Sequence, residues 1–479
     1  MKITHVVAEV YPLASVGGYA RVIHALSNKQ SENNVVNIVT PFYSNFAKDL
    51  KERLTQAKKL QVVNTKLDNF TFQYSVLKIN KNLTIYLIIN KDYYEYRTNI
   101  YGYTDDANRW AYLSFCALEL IKQGGLQTDI IHTHDWHTGI LANIKKQYYP
   151  KLNIPVIFTI HNLKFQAMFD HHNSDLQNYD RWQKLKQFFE PELQKLNYLK
   201  RAIRYSDKVV FVSDGYMKEV LNGINDELLR PLLLKNTHKL TSVLNRVDEH
   251  FNPFDTNIHK NYDQKSIEFK KDNKLFLQKM LRFDMSNTTP LICFVGRLDD
   301  QKGVLLLISA LDVILRNSNC QFVQLGGGDS NFIPSLRILE KKYKNRVYIY
   351  AKTDFNIAPQ IYASCDICLV PSKFEPCGIV PMEAQVFGCI PIVNATGGLK
   401  DTTIDYHQDK LSSTGFIFNN YDINNFIFKI SSAIEIYNNK NEWKRLVINA
   451  MSSDYSWDKS ANEYQKIYNL LLKDNKYEK

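Results

Sequence analysis

Residues 2–26 read KITHVVAEVYPLASVGGYARVIHAL, and the pattern of this stretch recurs along the chain. A short apolar run, Ile3–Val7, leads through a loop ending in Gly17-Gly18 into a segment with helical spacing. The apolar residues of that segment fall at i, i+3, i+4 and i+7, on one helix face: Tyr19, Val22, Ile23 and Leu26. The stretch therefore predicts a buried strand followed by a helix that packs one stripe on a sheet.

Similar apolar runs, with helical stretches between them, continue through both halves of the chain. In the first half they are Ile3–Val7, Val35–Val39, Ile130–His132, Val156–Ile160 and Val209–Val212. In the second half they are Leu291–Val295, Phe322–Leu325, Val347–Tyr350, Ile367–Val370 and Ile390–Val393. Such alternation implies parallel sheets that are covered by helices on both faces. The expected fold class is α/β, with two Rossmann-like, doubly wound sheets.

A polar stretch with a proline, residues 247–255, separates the two series and is the best candidate for a domain boundary. It predicts an N-terminal domain over residues 1–247 and a C-terminal domain over residues 248–454, followed by a terminal segment, 455–479. Ligands of doubly wound sheets bind beyond the carboxyl ends of the strands. The active site is therefore expected on loops after strands, in a cleft between the two domains.

The composition argues against a nucleic-acid partner. The chain has 479 residues and a formal net charge of +11, which could indicate an anionic partner. Its lysines are scattered in short pairs, such as Lys58-Lys59 and Lys341-Lys342, and form no basic stripe. No nucleic-acid binding is expected.

The cysteines and the apolar runs bear on the compartment. Seven cysteines, spread from Cys116 to Cys389, do not resemble the even-numbered, closer spacing of a secreted disulfide framework. Cys365 and Cys368 begin an apolar run without a second cysteine pair, so we interpret them as core thiols. No stretch has the length of a signal peptide or of a membrane span. These features predict a cytoplasmic protein with no membrane partner.

Two Gly-Gly loops are candidates for anion binding. Gly17-Gly18 lies between the first strand and the first helix, where the unpaired N–H groups of a helix N-terminus can bind an anion. A tight turn without a ligand explains the glycines equally well. Thr396-Gly397-Gly398 repeats the device in the second half. No Gly-x-Gly-x-x-Gly follows the first strand, which argues against a nicotinamide or flavin cofactor.

Residues 132–137, His-Thr-His-Asp-Trp-His, form a polar cluster at the end of a predicted strand. They could bind a metal ion, but no distant His or Cys cluster completes a ligand set, so no metal is expected. We interpret His134, Asp135 and His137 instead as lining a polar cleft and hydrogen-bonding sugar hydroxyls. His161 ends the next strand and reaches the same sheet edge.

Charged residues also follow strands in the second half. Arg297 and Lys302 could stabilise the developing negative charge of a diphosphate leaving group without a metal, although a solvated pair is the alternative. Glu375 follows the run Ile367–Val370, and Glu383 lies on the next helix. Either carboxylate could accept hydrogen bonds from sugar hydroxyls or balance positive charge as an anomeric bond breaks, or it could be a solvated acid.

Eight segments occur in a specific order along the chain. They are EVYPL at Glu9, YGYTDD at Tyr101, HTHDWHTG at His132, FTIHNLKFQ at Phe158, VGRLDDQKG at Val295, PSKFEPCG at Pro371, TGGLKDT at Thr396 and YSWD at Tyr455. In this order they resemble the bacterial glycogen synthase and plant starch synthase family, nearly end to end. The resemblance implies a GT-B fold, an α-1,4-glucan acceptor, and retention of configuration without a metal. It implies ADP-glucose as the usual bacterial donor, with UDP-glucose as the other nucleotide sugar to consider. It also implies a terminal helix, around Ser460 to Leu472, that crosses back to the first domain.

The resemblance assigns roles residue by residue. Arg297 and Lys302 would bind the donor diphosphate, and Glu375 would orient the transferred glucose. His161 and Asp135 would line the sugar subsite from the first domain. The donor-binding positions that the motifs imply are Ser15, Gly17, Gly18, Arg21, Asn245, Cys377, Gly378, Thr396, Gly397 and Gly398.

The chain departs from the family pattern at several donor-site positions. Ser15 and Arg21 stand where the family has Lys and Asp, Arg246 stands where it has Gly, and Thr353 replaces an aromatic residue. Loss of a diphosphate cation would cost on the order of 1.5–3 kcal/mol unless another cation replaces it. A glycosyltransferase with another donor or acceptor, or a non-catalytic glucan-binding homologue, therefore stays open beside the glucan synthase.

Overall fold

A computed structural model describes residues 1–44, 52, 54–55, 58–62, 70–170, 188, 195–224 and 228–477. The chain forms two compact units. Unit 1 comprises Met1–Val212, Met217–Leu244 and Trp457–Lys479, and unit 2 comprises Ser213–Tyr216 and Asn245–Ser456. The domain boundaries predicted from the sequence, at 247/248 and 454/455, stay a proposal.

Unit 1 is built on one large sheet. Its strands are β1 (Lys2–Val6), β2 (Val35–Pro41), β3 (Lys58–Val62), β4 (Phe70–Lys78), β5 (Leu83–Ile89), β6 (Ile130–His134) and β7 (Val156–Ile160), and, after the small antiparallel pair β8 (Met168–Asp170) and β9 (Lys195–Asn197), β10 (Lys208–Phe211) and β11 (Leu240–Ser242). Among the described residues the strand order is β11-β10-β7-β6-β1-β2-β5-β4-β3. β4 is antiparallel to both of its neighbours, β3 and β5.

Unit 2 has a fully parallel sheet in its described residues. The strands are β12 (Leu291–Val295), β13 (Gln321–Leu325), β14 (Val347–Tyr350), β15 (Ile367–Val370), β16 (Ile390–Asn394) and β17 (Phe416–Phe418). Their order is β14-β13-β12-β15-β16-β17. The order reverses between β12 and β15, which is the switch point where doubly wound sheets bind ligands.

The helices connect these strands. In chain order they are α1 (Gly18–Ser31), α2 (Asp106–Lys122), α3 (Asp135–Thr138), α4 (Leu141–Tyr148), α5 (Tyr198–Tyr205), α6 (Asp214–Leu221), α7 (Arg230–Lys235), α8 (Lys270–Met280), α9 (Val304–Asn317), α10 (Ile333–Lys342), α11 (Ala358–Ser364), α12 (Ile379–Val386), α13 (Gly398–Thr402), α14 (Ile423–Asn438), α15 (Lys440–Met451) and α16 (Trp457–Tyr477). A π-helical turn spans Lys91–Glu95, and 3₁₀ turns span Thr237–Lys239, Ile267–Phe269 and Ser330–Phe332.

The core follows from strands that are covered on both faces. Every residue of β6 and β7 is buried, as is every residue of β15 and β16. Continuous apolar runs are what such strands need, since neither face meets water. In unit 1, α2 is buried along its length except at Lys122, which is why its sequence shows no clean polar stripe.

All ten predicted strands are present, with small shifts at their ends, and the α/β fold class is confirmed. Seven further strands of the described residues were not predicted from the sequence: β3, β4, β5, β8, β9, β11 and β17. Of these, β4 is antiparallel to both β3 and β5 and has a mixed pattern of burial rather than a continuous apolar run. All seven cysteines are buried and free, as expected for core thiols. Among the described residues, no helix combines the length and apolar character needed to cross a membrane.

The terminal helix α16 packs within unit 1 against α1. Tyr468 OH accepts a hydrogen bond from Gln30 Nε2 over 2.9 Å, and Lys29 Nζ lies 2.7 Å from Asp458 Oδ1. Ser460 Oγ donates to the carbonyl oxygen of Leu244 over 2.6 Å. The last segment of the chain thus completes the fold of the unit that contains the first strand.

One glycine is required by the path of the backbone in unit 2. Gly303, directly before α9, has a φ of 72°, in the left-handed region. A Cβ atom there would lie 1.8 Å from the carbonyl oxygen of Pro371. Gly17, before α1, has a φ of −148° and open space around its Cβ position. The glycine after Lys302 is therefore sterically required, whereas the first glycine of the Gly17-Gly18 loop is not.

We predict that Gly303→Ala lowers the free energy of unfolding by about 2–4 kcal/mol, because the new methyl group adds left-handed strain and a backbone clash. The matched variant Gly17→Ala should change it by less than about 0.5 kcal/mol. Thermal and urea unfolding of both variants measure the difference. Equal stability of the two would contradict the steric argument.

Candidate active site

Lys302 and Glu375 form an ion pair on loops of unit 2. Lys302 Nζ lies 2.5 Å from Glu375 Oε2, and the two side chains are 18% and 10% exposed. Ser372 Oγ donates to the same carboxylate oxygen over 3.0 Å. The loops follow β12 and β15, which are neighbours in the sheet, so the fold brings together two residues that are distant in sequence. Partial burial strengthens the attraction between the charges.

Arg297 lies on the same loop as Lys302 but is paired differently. Its Nε donates to Asp299 Oδ2 over 3.0 Å, and the other oxygen of that carboxylate accepts from the Lys302 backbone N–H over 2.9 Å. The Arg297 side chain is 43% exposed. Asp299 therefore orders the loop that carries both cations, while the guanidinium group stays accessible to an anion.

The loops after β15 and β16 touch through their backbones. The Gly398 N–H donates to the Glu375 carbonyl oxygen over 3.0 Å, and a Cβ on Gly398 would lie 2.0 Å from the carbonyl oxygen of Cys377. Gly378 and Gly397 have positive φ values of 83° and 48°. Thr396, at the start of the second loop, is buried. The predicted donor-binding residues on the loops after β15 and β16 thus lie close together, with the Glu375 backbone at the contact between the two loops.

Asn245 joins this region through Cys377. Cys377 Sγ lies 3.7 Å from the Asn245 carbonyl oxygen, and burial raises the pKa of the thiol. The next residue, Arg246, is buried and donates from Nη1 to the carbonyl oxygen of Asp454 over 2.7 Å. At the position where the family has an aromatic residue, Thr353 Oγ1 accepts from the Gly327 N–H over 3.3 Å. Two departures from the family thus contact the backbone of unit 2.

Asp135 and His161 come together in unit 1. Asp135 Oδ1 accepts from the backbone N–H of His161 over 3.1 Å and from that of Asn162 over 3.3 Å. Asp135 has a φ of 56°, a conformation that is rare for a residue other than glycine and is concentrated at functional sites. Burial raises the pKa of its carboxyl to about 7 and lowers the pKa of His161 to about 3. His161 is therefore a neutral imidazole at neutral pH.

The other histidines of the 132–137 cluster are buried in the core. His134 is fully buried, and its Nδ1 lies 3.2 Å from His161 Nε2. His137 is 3% exposed and its ring stacks on Tyr101, with centroids 4.5 Å apart. The expectation that His134 lines a polar cleft is wrong, because His134 is fully buried and both of its ring nitrogens are paired with other histidines. Neither ring nitrogen of His137 has a hydrogen-bond partner among the described residues, so its sugar contact stays a prediction, as do those of Asp135 and His161.

A metal does not fit the buried histidines. The ring nitrogens of His5, His132 and His134 lie within 4.8 Å of one another, and His5 is the distant partner that the sequence analysis lacked. A metal ligand must offer a free lone pair, yet every ring nitrogen of the three already has a hydrogen-bond partner. The partners are His134 and Gln30 for His5, Tyr468 and Thr159 for His132, and His5 and His161 for His134.

The first Gly-Gly loop begins α1. Gly17 precedes the helix and Gly18 is its first residue. Ser15 Oγ donates to the Gly17 carbonyl oxygen over 3.3 Å, and Arg21 is half-buried on the first turn of the helix. The Ser15 hydroxyl group thus forms a hydrogen bond within the loop that precedes α1.

Glu9 is a candidate residue that the sequence analysis did not single out. Its carboxylate accepts from the Val16 backbone N–H and, over 2.7 Å, from Tyr101 OH. Glu9 is buried, and burial raises the pKa of its carboxyl to about 7. The segments that begin at Glu9 and Tyr101 are both among the eight that resemble the family. Their joint presence was the signal in the sequence that could have identified Glu9 as a candidate. Glu9 holds the loop that precedes α1.

Comparisons with known proteins cover nearly the whole chain. The starch synthase catalytic domain family matches residues 2–234, and the glycosyl transferases group 1 family matches residues 281–449. The glycogen synthase of Clostridium botulinum (strain Alaska E43 / Type E3) is 36% identical over 98% of this chain and 99% of its own. That of Clostridioides difficile (strain 630) is 34% identical, with coverage of 98% and 99%.

A solved starch synthase structure is also similar to this chain. The catalytic domain of starch synthase IV from Arabidopsis thaliana, bound to ADP and acarbose, has a TM-score of 0.87 and 30% identity, covering 98% of this chain and 99% of its own. Sucrose-phosphate synthase from Thermosynechococcus elongatus shares the fold, with a TM-score of 0.65, 17% identity and 99% coverage of both chains.

Two Rossmann-like units, with charged loops at the carboxyl ends of their strands, define a GT-B glycosyltransferase. The enzyme class is that of a hexosyltransferase. More particularly, the chain belongs to the glycogen and starch synthase family. The resemblance that the eight ordered segments carry is thereby confirmed.

The raised pKa values of Glu9 and Asp135 predict a dependence of stability on pH. Their ordinary values are 4.5 and 3.8, and both rise to about 7 in the folded protein. Between these pH values the folded protein binds more protons than the unfolded chain. The contribution of the two carboxyl groups to the free energy of unfolding is therefore fully present below their ordinary pKa values and is lost as the pH rises toward 7.

Glu9→Gln and Asp135→Asn should each reduce that decline by roughly 1–3 kcal/mol, when the free energy of unfolding is compared between about pH 5 and about pH 7.5. Glu249→Gln serves as the control, because the Glu249 side chain is 65% exposed. If neither variant changed the slope while the control behaved as wild type, the raised pKa values would be wrong.

Proposed function

We propose that the protein is a glycogen synthase that transfers glucose from ADP-glucose to the non-reducing end of an α-1,4-glucan with retention of configuration. The observation that carries this proposal is the partly buried Lys302–Glu375 ion pair on the loops after β12 and β15. Full-length relatives are named glycogen synthases, and the starch synthase IV structure contains ADP. We propose a cytoplasmic location, no cofactor and no metal.

In the proposed reaction the bond between the glucose anomeric carbon and the diphosphate breaks, and the acceptor hydroxyl oxygen bonds to the same carbon. ADP leaves with the electron pair, and the proton of the acceptor hydroxyl passes to the departing diphosphate oxygen. Lys302 and the accessible guanidinium group of Arg297 stabilise the negative charge on the leaving diphosphate, which is greatest in the transition state. No metal is needed for that step, because two fixed cations supply the charge.

Glu375 has two functions in this proposal. Its carboxylate holds Lys302 Nζ at 2.5 Å, which positions the cation before the donor binds. Its charge also balances the positive charge that develops on the sugar as the anomeric bond breaks. Ser372 Oγ, at 3.0 Å, keeps the carboxylate in place. The backbone contact between Gly398 and Glu375 keeps the loop itself in one conformation.

Unit 1 contributes sugar contacts in the proposal. His161 is neutral and offers a ring nitrogen to a sugar hydroxyl, while Asp135 holds the backbone of His161 and Asn162 in place. The left-handed backbone of Asp135 is maintained by these two hydrogen bonds.

A second candidate is a retaining glycosyltransferase with a different donor, such as UDP-glucose. The observation in its favour is the loop before α1, where Ser15 takes the place of the family's lysine and bonds within the loop. Arg246 is buried, and its Nη1 donates to the backbone carbonyl oxygen of Asp454, so this donor is already used within unit 2. A non-catalytic glucan-binding homologue is disfavoured because Lys302, Glu375 and Arg297 are all retained.

We predict that Lys302→Ala lowers kcat for glucose incorporation into glycogen by roughly a hundred- to a thousandfold, because one cation at the leaving diphosphate is lost. Glu375→Gln should lower kcat by roughly a hundredfold or more, since it removes charge but keeps the side-chain shape. The matched control is Lys373→Ala. Lys373 Nζ lies 2.6 Å from Asp300 Oδ1 in an exposed ion pair between the same two loops.

The assay compares ADP-glucose and UDP-glucose with each variant, and circular dichroism verifies the fold. Transfer that is lost in Lys302→Ala and Glu375→Gln, but not in Lys373→Ala, supports the proposal. Transfer that is unchanged in either of the first two variants would contradict the assignment of the site. No transfer by folded wild-type protein from either donor would favour a changed donor or a non-catalytic homologue.

Ser15→Lys tests the donor. If the protein uses ADP-glucose, restoring the family's cation should leave activity intact and lower KM for ADP-glucose by about tenfold, because a charge-assisted hydrogen bond to the diphosphate contributes about 1.5–3 kcal/mol. Ser15→Met, similar in length but uncharged, controls for the longer side chain. A loss of activity specific to Ser15→Lys would show that the loop is organised for another donor.

A further inference from the structure

His161 is the last member of a chain of hydrogen bonds that runs into the core of unit 1. Its Nε2 lies 3.2 Å from His134 Nδ1, and His134 Nε2 lies 2.9 Å from His5 Nδ1. His5 Nε2 lies 2.7 Å from Gln30 Oε1. His5, His134 and Gln30 are buried, and both ring nitrogens of His5 and of His134 take part in this chain. The chain connects helix α1 to the candidate sugar-binding residue.

A second chain begins at the other end of the same carboxamide group. Gln30 Nε2 donates to Tyr468 OH over 2.9 Å, and Tyr468 OH lies 2.8 Å from His132 Nδ1. His132 Nε2 lies 2.7 Å from Thr159 Oγ1. Both polar atoms of Gln30 are therefore used, and helix α16 holds one of them through Tyr468. Rotation of the carboxamide by half a turn would reverse every bond in both chains.

The four histidines are neutral. Burial lowers the pKa of His5 to about 4 and that of His161 to about 3, and it lowers the pKa values of His132 and His134 well below the ordinary value. A neutral imidazole carries one proton, so a nitrogen that donates leaves the other nitrogen to accept. The direction of one hydrogen bond therefore determines the direction of the next.

We propose that Gln30 determines which nitrogen of His161 carries its proton. Gln30 Oε1 can only accept, so His5 donates from Nε2 and accepts at Nδ1. His134 must then donate from Nε2 to His5 and accept at Nδ1 from His161 Nε2. His161 is left with a bare Nδ1. Gln30 is a positioning residue, because it acts on His161 through His5 and His134.

The intrinsic preference of histidine supports this direction. With Gln30 Oε1 toward His5, all four histidines carry their proton on Nε2, the tautomer that a neutral histidine side chain prefers in water. With the carboxamide reversed, all four would carry it on Nδ1. The same preference therefore acts at His5, His132, His134 and His161 in the same sense. The two chains meet only at Gln30, whose amide group donates to one and accepts from the other.

The consequence concerns the ligand that His161 selects, and this part rests on the proposed function. Among the described residues, His161 Nδ1 has no hydrogen-bond partner, and the residue is half-buried. A bare Nδ1 accepts and cannot donate. The group that it binds must therefore be a donor, as a sugar hydroxyl is. A residue on α1, outside the sugar site, thus determines the hydrogen-bonding character of the site.

The experiment is NMR of protein labelled with ¹⁵N in its twelve histidines. A nitrogen that carries a proton and a bare nitrogen have widely separated ¹⁵N shifts, so the spectrum reports the tautomer without any activity assay. The His161 signals are assigned by their loss in His161→Gln. We expect a protonated Nε2 and a bare Nδ1 in the wild-type protein.

Three variants test the role of Gln30. Gln30→Met keeps the length of the side chain but removes both bonds, so the His161 signals should shift toward an average of the two tautomers. Tyr468→Phe removes the hydroxyl that holds the carboxamide, and it should shift the signals in the same direction. Gln465→Met is the matched control, because Gln465 is a carboxamide on α16 whose Oε1 accepts from Asn34 Nδ2, after the end of α1 and outside the histidine chain.

The kinetic expectation is a decrease of about three- to tenfold in kcat/KM for Gln30→Met, the effect of one neutral hydrogen bond, with no change for Gln465→Met. A wild-type His161 protonated at Nδ1 would overturn the proposal. So would folded Gln30→Met and Tyr468→Phe proteins whose His161 signals match the wild type. Failure of the wild-type protein to transfer glucose would instead contradict the proposed function, since the NMR result does not depend on turnover.

Discussion

Parallel pairing of fully buried strands is the constraint on which both units depend. A strand without a solvent-facing side leaves only its ends for chemistry, so polar groups collect on the loops beyond the carboxyl ends. In unit 1, β6 pairs with β7 so that His134 lies opposite Thr159. Because Thr159 is two residues before His161 in the sequence, this pairing brings His134 close to His161. In unit 2, β12 pairs with β15, and the loops that follow carry Lys302 and Glu375. The pairing of strands thus decides which loop residues meet.

The candidate site residues of the two units differ in their ionisation. Unit 2 keeps Lys302 and Glu375 as a close ion pair, and Arg297 remains accessible beside Asp299. Removing one member of a shielded pair leaves the other charge without its partner, which is why such a pair is sensitive to substitution. At Asp135 and His161 of unit 1, burial instead favours the neutral forms, since it raises the pKa of Asp135 and lowers that of His161. A site that stabilises a leaving diphosphate needs fixed cations, whereas recognition of neutral hydroxyls does not.

The histidines show how far a pattern of residue types can mislead. Residues 132–137 look like a polar surface cluster or a metal site, yet His132, His134 and His137 are core residues. His132 and His134 belong to a buried network in which each of their ring nitrogens is paired, with Tyr468, Thr159, His5 and His161 as the partners. Neither ring nitrogen of His137 has a hydrogen-bond partner in the described part of the chain. A complete network is compatible with burial because each polar group has its partner. The sugar contacts that the sequence predicts for Asp135 and His161 stay a proposal.

Local patterns were enough to predict the α/β class, ten of the strands and the family, because buried parallel strands need continuous apolar runs and the eight segments keep their order. The same local patterns placed Lys302 and Glu375 on loops after strands. Their contact at 2.5 Å, the anchoring of Glu9 to Tyr101 and the connection of Gln30 to His161 depend on strand order and helix packing. Sequence spacing carries no information on such contacts, because they join residues that are distant along the chain and meet only when the sheets have formed.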